Sequence, residues 1–391
     1  MTREEIRELA AFQADTKTGA VALSFYFQPA PPQDRSHHNE VIVAKDLIKE
    51  ALKSANGSAG SGSLHADLDR IAEVARHLPG QSRGRAIFAC SANNLWKEFD
   101  LPPQLGRTGI FVQPRFQLKP LAMILGAQPE LCVAVVDRQR ARFFDLRLDQ
   151  LEEKGAIVHM LSRNAASYGY HGYEGGHAER RIADEALQHF KEVAERLRSS
   201  LEKGQWQQLI IGCHSSNWPQ LEPHLHPYVK QRLIGRFSAD VASVMPEEIR
   251  RHASGLLRSW NEERGRTRAT EAIQFAKANG RGVTGLRRVL RALEKGEVQA
   301  LFLGEGYSAR AVECLHCGHL DAHLVHACPV CGRATRELND VSDALIPLAI
   351  RRDLEMFYLR GHSELDSAGN IAALLRFRAD KTKAGPFAAA S

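Results

Sequence analysis

The sequence predicts an α/β protein built from three domains. Its 391 residues are about twice the length of a typical single domain, so more than one separately cored unit is expected. Short β-rich apolar runs alternate with helix-period stretches along the whole chain, and no repeat recurs at a fixed period. Breaks in this alternation divide the chain into segments 1–127, 128–267 and 268–379. A tail, 380–391, has no periodicity and is expected to be disordered.

With 43% hydrophobic and 25% charged residues, the chain falls in the ordinary globular range and outside the disordered and fibrous classes. A formal net charge of +6 and a pI near 8.9 suit an RNA or other polyanionic partner, and equally suit many proteins that have none. No apolar run approaches the roughly 20 residues that a membrane span needs. Met1 to Lys17 is charged throughout, so neither membrane insertion nor secretion is expected, and the expected location is the cytoplasm.

The first segment opens with a helix-like stretch. Val21-Ala-Leu-Ser-Phe-Tyr-Phe27 then reads as a strand, stopped by Pro29, Pro31 and Pro32. Helical patterns at Asn39 to Ser54 and Leu64 to His77 flank the turn-like Asn56-Gly-Ser-Ala-Gly-Ser-Gly62 and predict a helical hairpin. Arg85-Ala-Ile-Phe-Ala-Cys90 and the residues around Ile110-Phe-Val112 supply further strands.

The second segment begins with a hairpin pattern: Leu131-Cys-Val-Ala-Val-Val136, a turn through Asp137-Arg-Gln-Arg140, and a return through Ala141-Arg-Phe-Phe-Asp-Leu146. A third strand is expected from Ala156 to Leu161. The glycine- and tyrosine-rich Ser167-Tyr-Gly-Tyr-His-Gly-Tyr-Glu-Gly-Gly-His177 follows, then a long helix to about Lys203. Ile182, Ala186, Phe190, Val193 and Leu197 recur along that helix at steps of three and four and define one buried face. Gln208-Leu-Ile-Ile-Gly-Cys213 is another strand.

The third segment carries a helix-like Val283 to Glu294, a strand Val298-Gln-Ala-Leu-Phe-Leu303, four cysteines, and a helix-like Asp340 to Arg352. Leu354-Glu-Met-Phe-Tyr358 and Ile371-Ala-Ala-Leu-Leu-Arg-Phe377 close it as strands, which together predict an α/β/α sandwich.

Cys314-Leu-His-Cys317-Gly318 and Cys328-Pro-Val-Cys331-Gly332 are two matching Cys-x-x-Cys-Gly turns. Each places two thiolates on one tight loop, and four thiolates close a tetrahedral shell, so Cys314, Cys317, Cys328 and Cys331 are expected to bind one structural zinc. His316, His319, His323 and His326 lie nearby and are expected to face solvent. Cys90, Cys132 and Cys213 sit in apolar strand-like segments and read as small core residues. Cys213-His214 is a weak nucleophile–base pair, because neighbours on a strand point to opposite faces. Gly304-Glu-Gly-Tyr-Ser-Ala-Arg310 lacks the third glycine of a dinucleotide fingerprint and reads as a turn.

On the residues alone, the glycine-rich loop is the leading candidate for the functional site. Its glycines permit backbone angles closed to other residues, so the loop can present Gly175, Gly176 and His177 at an exposed tip. Arg180 and Arg181 open the following helix, where macrodipole and side chains together attract phosphate. Tyr168, Tyr170 and Tyr173 can stack on bases. A linker ending in an ordinary helix start is the competing reading.

A strand-rich hairpin, a Gly-Gly loop, a long helix, and a last segment interrupted by a zinc ribbon (312–334) and ending Gly369-Asn-Ile-Ala-Ala-Leu-Leu-Arg-Phe377 form one combination. It resembles the archaeo-eukaryotic class 1 peptide-chain release factors and Pelota. The resemblance is strongest to their bacterial homologues, family 10 of the bacterial archaeo-eukaryotic release factors. The likeness is clearest over residues 128–379. It implies a ribonuclease-H-like central domain and an L7Ae-like C-terminal domain with the ribbon inserted; the first segment, with Leu23-Ser-Phe-Tyr-Phe-Gln-Pro29, is similar only in outline.

In that family the central loop carries Gly-Gly-Gln and helps water attack the peptidyl-tRNA ester. Gly175 and Gly176 match, and His177 stands where the glutamine would be. A backbone N–H at residue 177 can stabilise developing charge on oxygen, and an imidazole can position water or act as a base near neutral pH. The family's Asn-Ile-Lys-Ser motif has no counterpart in Ala44-Lys-Asp-Leu47 or Lys53-Ser-Ala-Asn56, which argues against stop-codon decoding.

The resemblance implies a translation factor that occupies the ribosomal A site, contacts rRNA and peptidyl-tRNA, and hydrolyses the peptidyl ester in ribosome rescue. Gly175, Gly176 and His177 would be its catalytic residues, and Tyr170, His171, Tyr173, Arg180 and Arg181 its RNA contacts. Two alternatives stay open: a non-catalytic factor protecting idle ribosomes in hibernation, and an RNA-binding protein acting off the ribosome. Family members differ in whether a translational GTPase delivers them, so that partner also stays open.

Overall fold

The fold is that of a computed structural model, which describes residues 3–15, 19–29, 37–55, 61–78, 83–102, 108–125, 129–147, 150–159 and 174–378. By internal contacts the chain forms two units, one of Met1–Ala127 with Arg264–Ser391 and one of Gln128–Glu263. Both mix helices with sheets.

The N-terminal segment runs α1 (Arg3–Ala11), β1 (Ala22–Phe27), α2 (His37–Ala55), α3 (Ser61–His77), β2 (Gly84–Cys90), β3 (Leu95–Leu101), β4 (Gly109–Gln113) and α4 (Lys119–Leu125). Its sheet has the order β3-β2-β1-β4, antiparallel throughout. β1 is buried at every position, which explains why its sequence is apolar without alternation. Leu23, Phe25 and Phe27 pack among Ile48, Leu68 and Ile71 of α2 and α3. On the opposite face Tyr26 and Phe88 meet edge to face at 5.8 Å, and Phe88 meets Phe116 at 5.4 Å.

β3 was not expected from the sequence. It is an edge strand in which exposed Glu98 and Asp100 alternate with buried Phe99 and Leu101, and Arg85 on β2 binds Glu98 at 2.9 Å and Asp100 at 3.0 Å across the pair.

The central unit contains β5 (Leu131–Val136), β6 (Arg140–Arg147), β7 (Gln150–Val158), α5 (Glu174–Glu202), β8 (Gln208–Gly212), two short helices α6 (Trp218–Leu221) and α7 (Pro227–Gln231), β9 (Leu233–Phe237), and the first half of α8 (Pro246–Lys277). The sheet order is β7-β6-β5-β8-β9. β6 is antiparallel to both neighbours, while β5, β8 and β9 run parallel.

Strand alternation splits the core into two layers. Cys132, Ala134, Val136, Leu209 and Ile211 face Phe190, Val193 and Leu197 of α5. Leu131, Val133, Val135 and Ile210 face Ile249, Ala253 and Leu257 of α8. Of the helix face predicted from Ile182, Ala186, Phe190, Val193 and Leu197, the last four are buried and Ile182 is half-buried.

The third strand begins six residues earlier than the Ala156 start expected. Its first residues, Leu151, Glu152, Glu153 and Lys154, lie on an exposed edge, and the ladder bulges where Phe143 pairs Gly155 but Phe144 pairs Glu153. Gly155 has φ +153°, and a Cβ there would lie 2.6 Å from Arg196 Nη2, whose guanidinium caps the Phe143 ring at 4.6 Å. Only glycine fits that bulge.

The C-terminal segment continues with β10 (Gly282–Thr284), α9 (Leu286–Glu294), β11 (Val298–Gly304), β12 (Ala311–Cys314), β13 (Leu320–Asp321), β14 (Thr335–Leu338), α10 (Ser342–Arg351), β15 (Glu355–Leu359), α11 (Ser363–Ser367) and β16 (Ile371–Leu375). The larger sheet has the order β10-β16-β11-β15 and packs Ala300, Phe302, Phe357, Ala372 and Leu374 against Ala269, Ala272 and Ile273 of α8. The start of the pattern expected to be helical from Val283 is strand β10. Gly282 brings it so close to α8 that an added Cβ would collide with the Ala272 carbonyl oxygen. The Gly304-Glu-Gly turn follows β11 as read, with Gly306 at φ +73°.

Within this unit the two segments are joined by polar contacts. Gln113 and Gln117 both donate to the Asp343 carboxylate, at 3.3 and 2.9 Å, and Lys119 Nζ donates to the Tyr307 carbonyl at 3.0 Å. Burial raises the Asp343 pKa above its ordinary value, and the two amides oppose that rise.

Candidate functional site

Among the described residues, one group of metal-ligating side chains comes together: Cys314, Cys317, Cys328 and Cys331, whose sulfurs all lie within 4.8 Å of one another. Cys314 ends β12, in the small antiparallel sheet β13-β12-β14. The two turns repeat each other bond for bond. Gly318 N donates to the Cys314 carbonyl at 3.1 Å and Gly332 N to that of Cys328 at 2.9 Å. Cys314 N donates to His319 O and Cys328 N to Arg333 O, each at 2.8 Å. The glycines take φ +70° and +72°, a conformation that admits glycine at little cost.

Backbone amides point at sulfur, His316 N to Cys314 Sγ and Val330 N to Cys328 Sγ, both at 3.4 Å. No disulfide joins the cysteines; Cys314 and Cys331 sulfurs stand 3.4 Å apart, and those of Cys317 and Cys328 3.6 Å. A tetrahedron with metal–sulfur bonds of about 2.3 Å has edges of about 3.8 Å.

The thiols share charge unevenly. The Cys317 amide, first among several donors, draws Cys314 down to about 6, whereas Cys317, despite the His319 amide that lowers it, is pushed up to about 12 by burial and its cysteine neighbours. Several thiolates in this space repel one another unless a cation sits among them. The donor set thus fits a d10 cation such as zinc, with no open position. Of the surrounding histidines, His316, His323 and His326 are exposed as expected, with His323 Nδ1 3.0 Å from Asp321; His319, also expected to face solvent, is only 13% exposed, with Nδ1 3.0 Å from Glu294.

The glycine-rich stretch is placed differently from the expectation. Tyr168, Tyr170, His171 and Tyr173 lie outside the described residues. α5 begins at Glu174, so Gly175, Gly176 and His177 occupy its first turn rather than a loop ahead of it. Glycine weakens a helix least there, because the first amides need no carbonyl four residues back. Arg180 is exposed; Arg181 is 70% exposed and reaches Glu185 at 3.2 Å.

Sequence reasoning passed over a histidine pair where the end of β7 meets α5. His159, at the end of β7, places Nε2 2.6 Å from Glu192 of α5, and its ring meets that of the fully buried His189 edge-on at 5.1 Å. The available signal was periodicity: His189 stands three residues after Ala186 on the apolar face of the helix. Burial, above all, lowers its pKa. The weak Cys213-His214 pair does not form. Cys213 is buried, which raises its thiol, and His214 Nδ1 lies 2.7 Å from Ser216 Oγ.

Residues 117–255 match the model of a family described as bacterial archaeo-eukaryotic release factor family 10. Peptide chain release factor subunit 1 of Pyrococcus abyssi is 26% identical over 293 residues, covering 67% of this chain and 70% of the relative. The protein of the same name from Thermococcus kodakarensis is 24% identical over the same shares. Among solved structures, Pelota of Archaeoglobus fulgidus aligns with a TM-score of 0.35 at 15% identity, covering 76% of this chain and 80% of that one. The chain is homologous to archaeal peptide chain release factor 1. Among the described residues, no helix is long and apolar enough to cross a membrane.

Proposed function

We propose that this homologue of the archaeal release factors is a ribosome-associated translation factor that enters the A site and hydrolyses peptidyl-tRNA on stalled ribosomes in the cytoplasm. One observation carries the reading. The family match over residues 117–255 spans the stretch that holds Gly175, Gly176 and His177, at the point where β7 gives way to α5. In this reading the two glycines let the backbone approach the ester, and His177 positions water or takes its proton. Tyr170, His171, Tyr173, Arg180 and Arg181 contact RNA around it.

The division into segments 1–127, 128–267 and 268–379 belongs to the same reading. The order β7-β6-β5-β8-β9, antiparallel only at β6, supports a ribonuclease-H-like central domain. The small cysteine sheet between β11 and α10 supports an L7Ae-like domain with an inserted zinc ribbon. Cys314, Cys317, Cys328 and Cys331 hold the zinc, which stabilises a loop too small to build a core of its own.

The histidine at position 177 favours a second reading, in which the protein covers the peptidyl transferase centre of idle ribosomes without catalysis. Release of labelled peptide from purified bacterial ribosomes with peptidyl-tRNA and an empty A site separates the two. Rescue predicts release by the wild type, lost in both Gly176→Ala and His177→Ala. Ribosome binding without release contradicts the hydrolase and leaves the protective role.

A further inference from the structure

Two adjoining cavities open at the end of α9, within the unit formed by 1–127 and 264–391. The first, of about 600 Å³, is lined by Arg115, by Arg351 and Arg352 at the end of α10, and by the first cysteine turn. The second, of about 320 Å³, is lined by Lys295, Arg352 and Arg376. Leu293, Glu294 and Arg352 belong to both walls.

Charge in these cavities is unbalanced. Five cations, Arg115, Lys295, Arg351, Arg352 and Arg376, face two carboxylates, Glu294 and Glu313. Both carboxylates are engaged. Glu313 is held by Arg115 at 2.6 Å and Arg336 at 2.7 Å, and Glu294 meets His319 at 3.0 Å. The buried Glu297 stands 3.9 Å from Lys295, and an Arg352 nitrogen donates to the Leu293 carbonyl. Among the described residues, Arg351 and Arg376 face no carboxylate within ion-pair distance. Other arginines of the chain, such as Arg85, Arg142 and Arg198, each meet at least one. Burial first, then the nearby Arg115 and Arg352, lowers the pKa of Arg351, and Glu313 opposes that fall.

We propose that the paired cavities bind adjacent phosphate groups, supplied by an RNA backbone or by the polyphosphate of a nucleotide. The guanidinium fork matches phosphate oxygens bidentately, and the first cavity has the size of ordinary ligand sites. Two cavities sharing the Arg352 wall suit two linked phosphates better than one isolated anion. The proposal is independent of peptide release, since its readout needs no ribosome.

The test is fluorescence anisotropy of a labelled oligouridylate with the full zinc-loaded chain, from about 50 to about 200 mM salt. Pyrophosphate and ATP serve as competitors. Arg351→Glu/Arg376→Glu removes two cations that hold no other side chain, and Arg351→Lys/Arg376→Lys keeps their charge. The glutamate pair is expected to weaken binding by about tenfold and to flatten the log K against log salt slope by about 1.4, while the lysine pair retains most of the affinity. Full displacement by ATP or pyrophosphate identifies a nucleotide or polyphosphate ligand, and resistance to both identifies RNA. Failure of the wild type to bind any of these probes overturns the proposal. So does unchanged affinity in a glutamate variant with wild-type circular dichroism.

Discussion

Arg115 and Glu313, far apart in sequence, meet at 2.6 Å with only 18% and 5% of their side chains exposed. Glu313 also binds Arg336 at 2.7 Å, so one carboxylate on β12 holds two guanidinium groups and fastens the N-terminal segment to the cysteine sheet. Removing it strands two partly buried cations. Glu313→Gln is expected to cost about 3 kcal/mol in urea unfolding. The cost should shrink in an Arg115→Gln background by at least about 1 kcal/mol, because the two residues share one interaction.

The cysteine cluster predicts metal content. Purified protein should carry one zinc per chain by elemental mass spectrometry, and Cys328→Ser should lose it together with a drop in Tm. A chelator should reproduce that drop in the wild type and not in the variant, as expected if a small loop without a core of its own folds around the ion. Protein that is metal-free as purified, with an unchanged Tm after chelation, contradicts the assignment.

His189 predicts an acid-sensitive core. Its folded pKa lies below the ordinary value because burial disfavours the charged ring; the Arg140 backbone, Asp137 and Glu192 oppose that fall, and His159 adds to it. In the unfolded chain it titrates near 6.5. The unfolded state therefore binds more protons as pH falls through about 6.5, so the contribution of neutral His189 is present above that pH and lost below it. Melting followed from about pH 7.5 to 5.5 should show a falling Tm, and His189→Phe should reduce the slope. An equal slope in the variant would assign the acid sensitivity to other groups.

The sequence was most informative where chemistry fixes spacing. Two Cys-x-x-Cys-Gly turns have little choice of geometry, and their bonds repeat as the spacing requires. Long amphipathic helices such as α5 were also legible, since Phe190, Val193 and Leu197 must share a face. Edge strands were not. Glu152 to Lys154 in β7 are charged because the strand edge meets water, which erases the alternation that marks a strand, and in β3 only the short Glu98 to Leu101 stretch alternates. Contacts such as those of Gln113 and Gln117 with Asp343 leave no local signature, because each partner looks like an ordinary surface residue in its own segment. Gly175 and Gly176 showed that the stretch was unusual without showing that α5 begins at Glu174.

The most direct test of ribosome association is co-sedimentation of the protein with purified bacterial ribosomes whose A site is either vacant or filled with tRNA. The account predicts pelleting with vacant ribosomes, competition by A-site tRNA, and weaker binding as salt rises. Absence from the ribosome pellet under every condition, or equal binding whether or not the A site is filled, would contradict it.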